Sequence, residues 1–133
     1  MTAVLFADIE QLLCTWLPAQ LAARGFTVPV GTRVPNPRPA SFLRVLAVGG
    51  ARRNLVADQP TVAIEAWAPT EAAASALART ARAVIESAAG LVIDGVTVHR
   101  SRDFSSPVNL PDPVSAQCRY TFTGTMIISG AEL

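Results

Sequence analysis

The feature that most constrains this chain is an alanine-rich amphipathic segment set between two stretches of alternating polarity. After Pro69, Thr70 can accept from the exposed N–H groups of a helix start, and Glu71 complements the positive end of the helix dipole. An apolar stripe of Ala74, Leu77, Ala81, Val84, Ile85 and Ala88 follows, with Arg79, Arg82 and Glu86 on the other side. Side chains this small let a helix approach a flat surface closely, so the spacing predicts a helix from Thr70 to about Gly90 packed on a sheet. Residues 61–67 before it place Val62, Ile64 and Ala66 on one face and Ala63, Glu65 and Trp67 on the other. Residues 117–129 after it set Tyr120, Phe122, Met126 and Ile128 against Arg119, Thr121, Thr123 and Thr125.

The remaining segments complete an α+β pattern. Ile9, Leu12, Leu13, Trp16, Leu17 and Leu21 mark a first helix over residues 8–24, with Asp8 as N-cap, Gly25 as stop and Pro18 as a kink or break. Residues 26–30 read as a short strand that Pro29 confines to an edge or an end. Residues 31–41 hold Pro35, Pro37 and Pro39 and predict an extended arm. Residues 42–48 form a strand, and residues 49–60 a loop with Gly49-Gly50 and Arg52-Arg53. Asp94-Gly95 is a hairpin-turn pair leading into residues 96–102. Pro107, Pro111 and Pro113 make residues 103–116 a long ordered loop. This order implies one domain spanning residues 1–133, with a mixed, mostly antiparallel sheet and two helices packed on one face.

Half of the 133 residues are hydrophobic and 16% are charged, enough for one core and too few residues for two ordinary domains. A formal charge of +1 supplies no basic field for nucleic acid. No apolar run approaches the roughly 18–20 residues of a membrane span. The N-terminus lacks the pattern of a secretory signal, so a cytoplasmic setting is the expectation.

Chemistry has little to build on. His99 is the one histidine, expected on a strand. Cys14 and Cys118 lie far apart without metal-ligand spacing, which favours free buried thiols; a dyad of either with His99 stays open because such partners meet in space. Glu65, Glu71, Glu86 and Asp94 are scattered over different elements and form no acid/base pair. Gly49-Gly50 with Arg52-Arg53 lacks a phosphate-loop pattern; it reads as a turn with solvated arginines or as a docking loop. Trp16 belongs with the core stripe. Trp67 shares a face with Glu65 and is balanced between core and interface. The two proline-rich segments are the more informative feature, because long ordered loops in a small domain are usually functional and proline lowers the ordering cost of binding. The expectation is therefore a docking domain, not an enzyme, with no cofactor and no metal.

Several phrases resemble the tail terminator proteins of long-tailed, siphovirus-type phages and prophages, particularly the actinobacterial type. They are Val34-Pro35-Asn36-Pro37-Arg38-Pro39 into Ser41-Phe42-Leu43-Arg44-Val45, Val48-Gly49-Gly50, and residues 58–68, with the alanine-rich helix and the strand ending Thr123-Gly124-Thr125. The likeness spans nearly the whole chain. It implies a tail-terminator-like fold, a ring of copies, a hexamer by expectation, on the end of the tail tube, and a surface for head-completion proteins. Virion localisation at the head–tail junction, after assembly in the host cytoplasm, goes with it. The partners expected are self, the major tail tube protein and the neck; no membrane and no specific nucleic acid are. Arg33, Arg38, Phe42, Arg52, Arg53 and Asp58 are the contact residues expected.

Two alternatives remain beside this. One is another neck or head-to-tail connector protein. The other is a ferredoxin-like ligand-binding or enzymatic domain with a pocket between helix and sheet. RNA binding across the sheet is opposed by neutral charge and few aromatics.

Overall fold

A computed structural model describes residues 3–133. The chain order is β1 (Val4–Leu5), α1 (Ile9–Ala22), β2 (Val30–Gly31), β3 (Phe42–Arg52), β4 (Ala57–Ala68), α2 (Glu71–Glu86), β5 (Val92–Ile93), β6 (Val96–Arg102), β7 (Val108–Asn109), β8 (Cys118–Ser129) and β9 (Ala131–Glu132). The main sheet runs β2-β3-β4-β8-β6-β5, with β7 also on β8; β1 and β9 form a separate pair. Among the described residues only β2 and β3 pair in parallel, so the fold is α+β with a mixed, mostly antiparallel sheet. Both helices lie on one face, α2 across β4 and β8 and α1 beside it across β3.

The alternation sets this layering. Val62, Ile64 and Ala66 of β4 and Phe122, Met126 and Ile128 of β8 are buried beneath α2, whose stripe of Ala74, Leu77, Ala81, Val84 and Ile85 is buried in return. Thr70 caps α2 by accepting from the Ala73 N–H at 3.2 Å. Asp8 caps α1 by accepting from the N–H groups of Glu10 and Gln11. Asp94 and Gly95 both have positive φ, 49° and 77°, as the two-residue turn between β5 and β6 requires.

Four expectations need correction. The first helix is not split at Pro18; the buried stripe on both sides of that residue holds the cylinder together although one N–H is missing. Residues 26–30 do not form a strand over their length. Pairing is confined to Val30–Gly31, because Pro29 cannot donate and only its carbonyl reaches Leu43 N–H, at 2.9 Å. Residues 49–60 are not a loop but the outer half of the β3–β4 hairpin, whose turn occupies only residues 53–56. Residues 103–116 contain β7, and Phe104 anchors their start in the core.

The hairpin error has a local cause. Gly49 and Gly50 lie within β3 and Pro60 within β4, although proline has no N–H to give a central strand. The β4–β8 register omits Gln59 and Pro60, and on the other side Pro60 stands opposite Gly50, where β3 bulges between Ala47 and Gly50. Gly50 has φ of 112°, and a Cβ there would collide with the Gln59 carbonyl oxygen. Glycine in the bulge lets the two backbones close around the proline.

Beyond its short pairing with β2, β3 is an edge strand. One outward N–H, that of Ala47, donates to the Glu10 carboxylate of α1 at 2.9 Å.

Candidate functional site

The sheet face away from the helices is divided by the register. At one end, Phe42 of β3 pairs with Trp67 of β4, and Trp67 with Arg119 of β8. The Phe42 and Trp67 rings stack at 5.1 Å with planes 19° apart. The guanidinium groups of Arg38 and Arg119 lie 5.3 and 5.2 Å from the Trp67 ring centroid. Next along the face, Glu65 accepts from Arg44 at 3.3 Å and faces Arg119 at 3.7 Å. Trp67 is only 2% exposed, and its indole N–H is buried without a hydrogen-bond partner among the described residues.

The two proline-rich segments cover this cluster and hold each other. Arg38 of the arm donates to Ser115 Oγ at 2.8 Å and Gln117 Oε1 at 3.1 Å, with Asp112 at 3.8 Å. Gln117 donates back to the Ala40 carbonyl at 3.2 Å. Asp112 closes its own turn by accepting from the Ser115 hydroxyl and N–H. The Ser115 hydroxyl, then its N–H, hold the Asp112 carboxyl below the usual carboxylate range. Val114, at the tip of that turn, is 93% exposed, and Val108 and Leu110 are exposed beside it.

At the other end of β3, Arg52 turns back on its own hairpin, donating to the carbonyls of Asn54 at 2.8 Å and Leu55 at 2.6 Å and lying 5.2 Å from the Phe6 ring centroid. Asn54 Oδ1 accepts from the N–H groups of Val56 and Ala57. Leu55 and Val56 are left 71% and 63% exposed at the turn.

The six expected contact residues therefore do not form one patch. Arg33 is exposed on the arm. Arg38 is half of the tie between arm and loop. Phe42 is fully buried under the arm; stacking on Trp67 withdraws it from any partner in this conformation. Arg52 and Asp58 are register partners at the hairpin end, with Asp58 half-buried, while Arg53 is exposed at the turn. Ten residues of strand separate Phe42 from Arg52, roughly 30 Å. Sequence reasoning missed Arg44, Glu65, Arg119, Ser115 and Gln117. Period-two alternation already put Trp67 with Glu65 and Arg119 with Thr121, but only the register joins the strands.

The remaining candidates are dispersed. His99 lies in β6 and its Nε2 pairs with Ser129 Oγ at 2.5 Å. Cys14 and Cys118 are free and half-buried; burial first, then Glu10 and Asp8, pushes the Cys14 thiol up. Cys118 approaches the Pro69 carbonyl. Among the described residues no group of three or more His, Cys, Asp or Glu side chains is placed to hold a metal ion. Among the described residues no helix is long and apolar enough to cross a membrane. Compared with protein-family models and with curated proteins, the chain matches none.

Proposed function

We propose that this chain is a structural protein of a long-tailed phage: copies form a ring on the end of the tail tube, stop its polymerisation and offer the surface to which the head is joined. The observation that carries this reading is the division of exposed apolar surface between two distant places, the loop of residues 103–116 and the turn of the β3–β4 hairpin. The loop presents Val108, Leu110 and Val114; the hairpin turn presents Leu55, Val56 and Arg53. A ring subunit that caps a tube must meet both its neighbours and the tube, and two separate surfaces, one on the loop and one at the hairpin turn, suit those demands. Exposed aliphatic side chains with arginine are a composition suited to protein contacts. The phrases that resemble tail terminators in residues 34–39, 41–45, 48–50 and 58–68 lie in this hairpin and in the arm over it. The reading needs no catalytic group and no cofactor, and its site of action is the head–tail junction.

Multi-angle light scattering and electron microscopy of the purified chain, alone and with tail tubes of its own phage, test the reading. Six copies of the 14.0 kDa chain would form the ring seen at tube ends. A chain that stays monomeric with tubes present and leaves their length unrestricted refutes it.

A further inference from the structure

Two hollows of opposite charge lie at the hairpin-turn end on opposite faces of the sheet. On the face away from the helices, Arg53, His99 and Arg100 rim a hollow whose floor includes Ala57 and Ile127. Both floor residues are buried yet stand outside the helix-side core, as their place in the alternation of β4 and β8 requires. On the helix side, Asp8 and Asp94 rim a second hollow between the start of α1 and the β5–β6 turn, with Leu12 and Val96 in its wall. Among the described residues, the first lining contains no acid and the second no base.

We propose that the β3–β4 turn of one copy seats against the Asp8/Asp94 hollow of the next, joining copies head to tail; this rests on the reading that the chain assembles with itself. Charge complementarity identifies the occupant. Arg53 and Arg100 meet Asp8 and Asp94, while exposed Leu55 and Val56 supply apolar area toward Leu12 and Val96. Neither hollow can meet its own copy across a two-fold axis without setting like charges together, which excludes an isologous pair through either one. After one contact forms, each copy still has one hollow unfilled, so the contact repeats until rotation closes a ring.

Two variants test this. Arg53→Glu with Arg100→Glu reverses the basic hollow and leaves the acidic one. Asp8→Asn with Asp94→Asn discharges the acidic hollow, and asparagine keeps both the helix cap and the positive φ of Asp94. In sedimentation velocity, each variant alone is expected to be monomeric at concentrations where the wild-type chain forms higher oligomers. An equimolar mixture is expected to give a heterodimer and nothing larger, since only one matched pair of hollows remains. Raising salt from about 0.05 to about 0.5 M should dissociate that heterodimer. If circular dichroism shows the glutamate variant unfolded, Arg53→Gln with Arg100→Gln replaces it. Oligomers from both variants like those of the wild type, or a mixture of folded variants without heterodimer, overturn the contact. A wild-type chain that is monomeric at every concentration also overturns it. Whether the wild-type chain caps tail tubes is scored separately, so the tube-end reading can stand when this contact fails and fall when it succeeds.

Discussion

The Arg38 guanidinium lies 5.3 Å from the centroid of the Trp67 ring and donates to Ser115 and Gln117, which makes one side chain both the lid on the buried indole and the tie between two proline-rich segments. The arm and the loop are thus ordered by contact with each other and with the sheet. Proline alone would leave them stiff but unattached.

Arg38→Ala is expected to loosen this cover while leaving the helix-side core intact. The loss in stability should be about 1 kcal/mol, since Arg38 is partly solvated and its ion pair adds little. Trp67 should gain access to a fluorescence quencher, whereas Trp16, on α1, should not change. Arg38→Lys keeps the charge but not the planar fork, and should restore stability only in part.

Acid is expected to release the same region. The Asp112 carboxyl is held below its usual range, so its charged form is favoured in the folded state. The stabilisation is present above the ordinary value of about 3.9 and fades as pH falls through the lowered folded value. Amide exchange at Ser115, whose N–H donates to Asp112 at 3.0 Å, should accelerate in that window. Asp112→Asn should make exchange at Ser115 insensitive to pH there once intrinsic rates are corrected.

The adjacent glycines of the β3 bulge should differ on substitution. Gly49 has φ of 118°, and a methyl group added there would have no neighbour within 4 Å, so Gly49→Ala meets backbone strain alone, about 1–2 kcal/mol. Gly50→Ala adds a collision with the Gln59 carbonyl and the Pro60 backbone. It should cost about 3 kcal/mol or more. Urea unfolding of the two variants gives the comparison.

Much of the fold was legible in the chain. The stripe of α2, the caps Asp8 and Thr70 and the Asp94-Gly95 turn are local signals, each decided within a few residues. The outer half of the hairpin was not legible: Gly49-Gly50 and Arg52-Arg53 read as a loop, whereas the two glycines form a bulge within β3 and, with a gap in pairing to β8, accommodate Pro60 in β4. The site was less legible. Arg38, Trp67, Arg119 and Gln117 are brought together by strand register and by a loop returning along β8, and no local pattern encodes either. The burial of Phe42 was hidden for the same reason: its cross-strand neighbour is Trp67.

Cys14 is expected to be a slow thiol. Burial and the nearby Glu10 and Asp8 carboxylates disfavour the thiolate. Alkylation by iodoacetamide at mildly alkaline pH should lag behind that of a small model thiol and catch up in denaturant. Glu10→Gln should speed it by removing one of the two charges.

The bond from Ala47 N–H to Glu10 has a bearing on how the protein behaves in concentrated solution. An edge strand offers its outward N–H groups to any other strand, and fibrils grow by such additions. Here a carboxylate from α1 already fills the acceptor position opposite Ala47, and an incoming strand would have to displace that charge and tolerate it nearby. The bulge at Gly49-Gly50 then twists the rest of the edge out of line. First helix and edge strand together therefore guard this edge against endless sheet extension.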